Sequence, residues 1–256
     1  MATENYTPRE MMVVSAARMI RDREIVFVGM RMPLLAFNLA KSLWAPEATA
    51  LYEAGLMREK QCVEYFHTMC DLPLQTRASW LTGLVEVMSC LQRGEVDVGI
   101  IGGAQIDVHG NVNSTLVKTA LGVKRLPGSG GACDIAVFAK RMVVMMPMES
   151  RRMVPKVDYI TSPAGGGRNR EKPAKEVYLV TDKAVLSVDG SRFTAVAVYP
   201  EVSKQQIADV LNGSVAGLDK APVQQPPSEE ELRVLRALDR EGFWTRQPNK
   251  SKSDIS

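Results

Sequence analysis

Between residues 24 and 53 the sequence reads as strand, glycine turn, helix and strand, and few folds accept that order. Glu24-Ile-Val-Phe-Val28 is an apolar run of strand length that opens onto Gly29-Met-Arg31-Met-Pro33. Leu34 to Leu43 carries apolar residues available for helical packing, and Pro46 keeps that helix from running into the next element. Thr49, Leu51 and Tyr52 then suit a buried strand. Two strands joined through a helix lie parallel with a right-handed crossover, in a sheet covered by helices on both faces. The second strand delivers one carboxylate, Glu53, onto a turn at Gly55. Ligands of open α/β sheets bind beyond the carboxyl ends of strands, so Glu53 is a candidate nucleophile, base or ligand anchor. Taken alone, a Glu in such a place is more often a solvated loop residue.

The flanking sequence extends this unit. Thr7-Pro8-Arg9-Glu10 is a helix start leading into a buried helix over Met11 to Ile20. Residues 56–78 give no clear pattern. Ser79 to Arg93 reads as an amphipathic helix stopped by Gly94, and Val96 to Ile101 as a buried strand opening onto Gly102-Gly103-Ala104-Gln105. Pro127 to Asp134 is a glycine-rich loop feeding a helix over Ile135 to Lys140, with a strand over Met142 to Met146. Strands are predicted over Lys156–Ile160 and Val177–Thr181, separated by a Gly-rich loop over 162–168, and a hairpin over Val185–Val188 and Phe193–Tyr199 turning at Asp189-Gly190. Ser203 and Ser228 cap two further helices, the last carrying Leu232, Leu235 and Leu238. The expected fold is α/β: a mostly parallel sheet flanked by helices, with antiparallel additions in the C-terminal half. Residues 1–246 are expected to form one domain and 247–256 a polar, disordered tail.

Composition removes several functions. The formal charge of +3 comes from mixed signs spread along the chain, which argues against a nucleic-acid partner. The longest apolar run, Met142–Met148, is strand-sized, so no membrane span is expected, and the N-terminus lacks the pattern of a signal peptide. Cys62, Cys70, Cys90 and Cys133 show no Cys-x-x-Cys pair and read as the reduced thiols of a cytoplasmic protein. Cys62, His67 and Cys70 lie close in sequence, but a zinc site needs a fourth ligand, so no metal is expected.

Glycine stands at three strand ends, at Gly29, Gly55 and Gly102-Gly103, and again at Gly128–Gly131 before a helix. Backbone amides at such places can approach a ligand and donate to an anion. Neither a dinucleotide fingerprint nor a nucleotide-phosphate loop is present. Ile101-Gly-Gly-Ala-Gln-Ile-Asp107, Gly110-Asn-Val-Asn-Ser-Thr115 and Gly128-Ser-Gly-Gly-Ala132, in this order and spacing, resemble the B subunits of class I CoA-transferases of the glutaconate CoA-transferase type. The resemblance covers nearly the whole chain, from Asn5-Tyr-Thr through Ala45-Pro46, Arg151-Arg152, Val157-Asp-Tyr159 and Thr161-Ser-Pro163 to Val180-Thr-Asp-Lys183. Glu53-Ala-Gly-Leu-Met57 is similar to the stretch carrying that family's catalytic glutamate, with one Ser-to-Ala change.

The resemblance implies a NagB/RpiA/CoA-transferase-like fold, an A subunit of similar fold as partner, and an active site at their junction. It makes Glu53 the nucleophile, with a coenzyme A thioester as substrate and no permanently bound cofactor. Gly29, Gly102, Gly103, Ala104, Gln105, Gly130 and Gly131 are the expected oxyanion or CoA contacts. Two departures stand out. Arg31 replaces the second glycine of a Gly-x-Gly-x-Pro loop and is a candidate selector of a substrate carboxylate, and Arg58 to Cys62 replace an acidic turn. Other readings are a CoA-thioester hydrolase, ring-opening enzyme or decarboxylase on the same fold, or a ligand-binding regulatory subunit. The retained Glu53 favours transfer over all of these.

Overall fold

A computed structural model describes residues 6–62, 64, 66–164, 176–188 and 190–246. The expected tail from 247, the Gly-rich stretch 165–168 and Asp189 of the expected turn lie outside the described residues. The first elements are α1 (Pro8–Ala17), β1 (Ile25–Val28), α2 (Met32–Leu43), β2 (Thr49–Tyr52), β3 (Leu56–Arg58), α3 (Leu72–Gln75), β4 (Trp80–Leu81) and α4 (Leu84–Gln92). The middle holds β5 (Val98–Gly102), β6 (Gln105–Ile106), β7 (Val112–Asn113), β8 (Leu116–Thr119), β9 (Gly122–Arg125), α5 (Ala132–Phe138) and β10 (Arg141–Met145). The remainder is β11 (Glu176–Val180), β12 (Ala184–Val188), β13 (Phe193–Val198), α6 (Lys204–Val210), β14 (Val215–Ala216) and α7 (Glu229–Leu238).

A ten-stranded sheet runs β14-β13-β12-β11-β10-β5-β1-β2-β3-β4. Its centre, from β2 to β11, is parallel. Antiparallel strands extend it on both sides, because β3 and β4 return beside β2 as well as β12 and β13 beside β11. The sequence pattern placed them only on the C-terminal side. Alternate residues of the central strands feed two apolar layers. Val26, Val28, Ala50 and Tyr52 pack with α1 and α2, whereas Phe27 and Leu51 pack with residues of α4, α5 and α6. A Cβ on Gly99 would overlap the Ile135 side chain, so this glycine lets α5 sit close on the sheet. The last helix is tied to the first by two ion pairs, Arg18 to Glu231 and Arg236 to Glu10, each at 2.7 Å.

Two predicted elements differ. The helix expected from Ser79 starts at Leu84, because Trp80 and Leu81 pair with Met57 and Leu56 and Thr82 N donates to Gly55 O at 2.7 Å. Lys156–Ile160 is not a strand. Its polar groups bond to partners from elsewhere: Val157 N donates to Asp107 Oδ2 and Asp158 N to Gln105 Oε1, while Asp158 Oδ2 accepts from Gln105 Nε2 and from the backbone N of Lys118. Among the described residues no helix is long and apolar enough to cross a membrane.

Candidate active site

Glu53 is the first residue beyond β2, at the carboxyl edge of the parallel strands. Gly55, at φ +87°, closes the turn by donating its amide to Tyr52 O at 3.0 Å, and a Cβ there would collide with Thr82 O. The chain therefore reverses at once into β3, leaving Glu53 at the corner. Strand alternation sends Leu51 to the α4–α5 layer and Tyr52 to the opposite one, so Glu53 follows Leu51. Tyr52 itself is fully buried, and burial pushes its phenol up, which keeps it protonated and out of proton-transfer chemistry.

The Glu53 carboxylate lies against the loop before α5. Its Oε1 and Oε2 are 3.1 and 3.2 Å from where a Cβ on Gly130 would stand, and Oε2 is 3.2 Å from the same point on Gly131. Met88 of α4 closes the third side, its Cε 3.2 Å from the Gly131 point. The loop is held rigidly. Gly128 N donates to Ser114 O, Ser114 Oγ donates to Gly128 O, and Leu126 N donates to Thr115 O, while Ser129 accepts from Ala132 N and Cys133 N. Among the described residues, neither the Gly130 nor the Gly131 amide donates a hydrogen bond, and the half-buried Glu53 carboxylate accepts none. A carboxylate without an internal partner, beside two backbone N–H groups also without one, has the parts for nucleophilic attack and oxyanion stabilisation.

Several expected contacts serve the fold instead. The Gly29 amide donates to Ile100 O at 2.9 Å and the Ala104 amide to Asn113 O at 2.8 Å, so neither is free to meet an oxyanion. The Gln105 carboxamide is buried and engaged at both ends, donating to Asp158 Oδ2 and accepting from Asn113 Nδ2 and Asp158 N. Gly102 is exposed at the end of β5, and Gly103 fits beneath Val112 and Met146; the space beside neither glycine is occupied by Glu53.

Arg31 is not brought to Glu53. Register places Phe27 beside Leu51, which sets Gly29 level with Glu53 and Arg31 only two residues further on. Arg31, however, starts α2 on the other face of the sheet, where its guanidinium carbon stands 5.7 Å from the centroid of the Trp244 ring. Its backbone takes φ 71° and ψ −124°, a region few residues other than glycine adopt. Arg58, in the other departure from the family pattern, is a structural clasp donating to the carbonyls of Gln61, Pro73, Leu74 and Thr76. Sequence reasoning missed Met88 and the Ser114 and Ser129 supports, which act on the glycine loop rather than in a motif of their own. No grouping of three His, Cys, Asp or Glu side chains suited to a metal occurs among the described residues.

Comparison with known proteins places these features. Residues 9–209 match the family model described as Coenzyme A transferase. The chain is 34% identical over 249 residues to the B subunit of the glutaconate CoA-transferase of Acidaminococcus fermentans, covering 91% of this chain and 92% of the relative. The crystal structure of that organism's enzyme superposes with a TM-score of 0.83 at 31% identity, covering 96% of this chain and 99% of the other. The B subunit of the 3-oxoadipate CoA-transferase of Pseudomonas knackmussii is 32% identical over 244 residues, 91% of this chain and 94% of its own. A crystal structure of the decarboxylase AibA/AibB has a TM-score of 0.81 at 26% identity, covering 93% and 97% of the two chains.

Proposed function

The chain belongs to the coenzyme A transferase family, and from that membership we propose that it is the B-type subunit of a two-chain enzyme transferring CoA to a dicarboxylic acid through Glu53. One observation carries the residue assignment: the Glu53 carboxylate, half-buried and without a hydrogen-bond partner among the described residues, lies against Gly130 and Gly131. The dicarboxylate preference is supported by the two transferase relatives, whose names specify glutaconate and 3-oxoadipate, both diacids. Residues 1–246 act in this reading as one subunit.

Glu53 attacks the thioester carbonyl of the donor, and the tetrahedral oxyanion accepts hydrogen bonds from the Gly130 and Gly131 amides. Collapse expels CoA thiolate and leaves an acyl–glutamyl anhydride. The thiolate then attacks the glutamyl carbonyl, releasing the donor acid and leaving CoA as a thioester on Glu53. An acceptor carboxylate reverses the sequence, forming a second anhydride that CoA attacks at the acyl carbon to free Glu53. Each step develops charge at the same carbonyl region, where one well-placed donor contributes ~10²–10³ in rate. Water must be kept from the anhydrides, and this chain leaves Glu53 half-exposed.

The missing wall falls to an A-type subunit. Trp80, Leu81, Leu84 and Val85 form an exposed apolar strip on β4 and the start of α4, next to the Glu53 turn through the Thr82–Gly55 bond. An apolar strip beside an open active site suits a protein partner. Co-expression with an A-type chain, followed by assay of acyl-CoA with diacid acceptors, tests the reading. Transfer by the complex and none by the isolated chain is expected; CoA release at an equal rate without acceptor would instead make the enzyme a hydrolase.

A further inference from the structure

The stretches 101–107, 110–115, 128–132, 157–159 and 161–163 carry the family resemblance and are scattered over the middle of the chain. One chain of side-chain hydrogen bonds joins all of them behind the loop that meets Glu53. Gln105 Nε2 donates to Asp158 Oδ2 at 2.9 Å, and Gln105 Oε1 accepts from Asn113 Nδ2 at 2.8 Å. Asn113 Oδ1 accepts from the Thr115 amide at 3.0 Å and from Thr161 Oγ1 at 3.5 Å. Thr161 Oγ1 also stands 2.8 Å from Thr115 Oγ1 and accepts from the Ser114 amide at 2.9 Å. Ser114 Oγ then donates to Gly128 O at 2.7 Å, and Gly128 N donates to Ser114 O at 2.9 Å. The chemistry above uses the loop at the end of this chain and none of its other members.

Ser114 and Thr115 fall between β7, which ends at Asn113, and β8, which begins at Leu116, and the two strands belong to different sheets. No strand ladder therefore holds Ser114. Its amide is held by the Thr161 hydroxyl instead, on a residue only 7% exposed, so water competes little for the bond. Thr161 is fixed in turn, because its own amide and that of Ser162 both donate to Val112 O. The two Ser114–Gly128 bonds place the loop no more accurately than Ser114 is placed, and Gly130 follows Gly128 by two residues. An attacking carboxylate and its oxyanion donors tolerate little displacement.

We propose that Thr161 is a positioning residue of the transfer reaction. Its hydroxyl bonds to Ser114, Thr115 and Asn113 and not to Glu53. It acts through Ser114, holding the Gly130 and Gly131 amides at the Glu53 carboxylate. The proposal rests on the reading of Glu53 as nucleophile and of these amides as oxyanion donors.

Thr161→Val keeps the side-chain shape and removes the hydroxyl. In the assembled two-chain enzyme it is expected to lower kcat and kcat/KM by the same factor, at least about tenfold, the mark of an interaction made in the transition state. Thr161→Ser keeps the hydroxyl and should restore kcat to within about threefold of wild type. Thr181→Val serves as the control. Thr181 Oγ1 is equally buried and bonds to Lys183 N, Ala184 N and Ala184 O, but it follows β11, four strands from β2 in the sheet. Its loss should lower the melting temperature and leave kcat within about twofold of wild type.

Amide hydrogen exchange supplies a readout that needs no turnover. Protection of the Leu126 and Gly128 amides, which donate to Thr115 and Ser114, should fall at least about tenfold in Thr161→Val and not in Thr181→Val. Wild-type kcat in Thr161→Val, a Thr161→Ser variant as slow as Thr161→Val, or an equal loss in Thr181→Val overturns the proposal. If Thr161→Val fails to fold or assemble, as judged by sizing, Ser114→Ala decides, because it deletes only the bond to Gly128 O. A kcat lowered at least about threefold there supports the proposal, and wild-type kcat overturns it. If the wild-type complex transfers no CoA, the transferase reading fails, and exchange at Gly128 still decides whether Thr161 holds the loop.

Discussion

The carboxylate oxygens of Glu53 stand 3.1 and 3.2 Å from the place a Cβ on Gly130 would occupy. The end of β2 and the loop before α5 are distant in sequence, yet they meet so closely that a methyl group would press on the carboxylate. Gly130 is also at φ +49°, where a side chain adds backbone strain. Its neighbour Gly131 has an ordinary φ of −76°, which separates the two effects.

Gly131→Ala is therefore expected to fold normally and lose activity. Its backbone accepts alanine, but the new methyl meets Glu53 Oε2 and Met88 Cε at 3.2 Å. A drop of at least about tenfold in kcat is predicted, since small displacements of an attacking group are costly, with the melting temperature nearly unchanged. Gly130→Ala should lose activity and also about 1 kcal/mol of stability. Full activity in Gly131→Ala would show that contact between this loop and Glu53 is incidental.

Arg31→Gly is expected to retain substrate preference. The guanidinium rests on Trp244, across the sheet from the Glu53 carboxylate. Removing it loses a cation–π contact of about 0.5–1 kcal/mol but relieves backbone strain of about 1–3 kcal/mol. Stability should not fall, and KM values for diacid and monoacid acceptors should change by the same factor. A selective rise for diacids would reinstate Arg31 as a carboxylate selector.

Charge in the apolar strip beside the site should prevent assembly. Leu81→Lys with Val85→Glu alters two exposed side chains, so the isolated chain should fold as before. Co-purification with an A-type chain should be lost, and with it transfer activity. An intact, active complex would place the partner elsewhere.

Acid should loosen the clasp between α7 and α1. Burial pushes the Glu231 carboxyl up, but the Arg18 guanidinium and the Ser228 amide outweigh that and hold it below the usual carboxylate range. A depressed carboxyl pKa stabilises the fold above the unfolded value and loses that contribution as pH falls through the folded one. Glu231→Gln should therefore cost about 1.5–3 kcal/mol near neutrality, the range of a charge-assisted hydrogen bond, and progressively less below the carboxylate range. Denaturant melts of both proteins across that range measure the difference; a pH-independent cost would remove the ionic explanation.

The parts of this architecture written locally were legible in sequence, and the parts decided across the chain were not. Proline and glycine punctuation around Leu34–Leu43 marks the β1–α2–β2 unit, and with it the position of Glu53. The apolar spacing of Leu81, Leu84, Val85, Met88 and Leu91 extends the helix pattern too far, because pairing of Trp80 and Leu81 with β3 overrides it. Strands as short as β4 and β6 carry too few residues for periodicity to register. Gly29 and Gln105 look like ligand contacts until Ile100 and Asp158, distant in sequence, engage them. Nothing local announces that Gly130 and Glu53 will touch, and the family motif was the signal that joined them.

Covalent attachment of CoA to Glu53 is the step on which the proposed chemistry depends. The assembled enzyme, incubated with acyl-CoA without acceptor and then treated with borohydride, should yield a Glu53-containing peptide whose side chain has been reduced from thioester to alcohol. Glu53→Ala should fold, show no modified peptide and lose transfer. An unmodified Glu53 peptide from active native enzyme, together with multiple turnover by Glu53→Ala, would contradict a glutamyl-CoA intermediate.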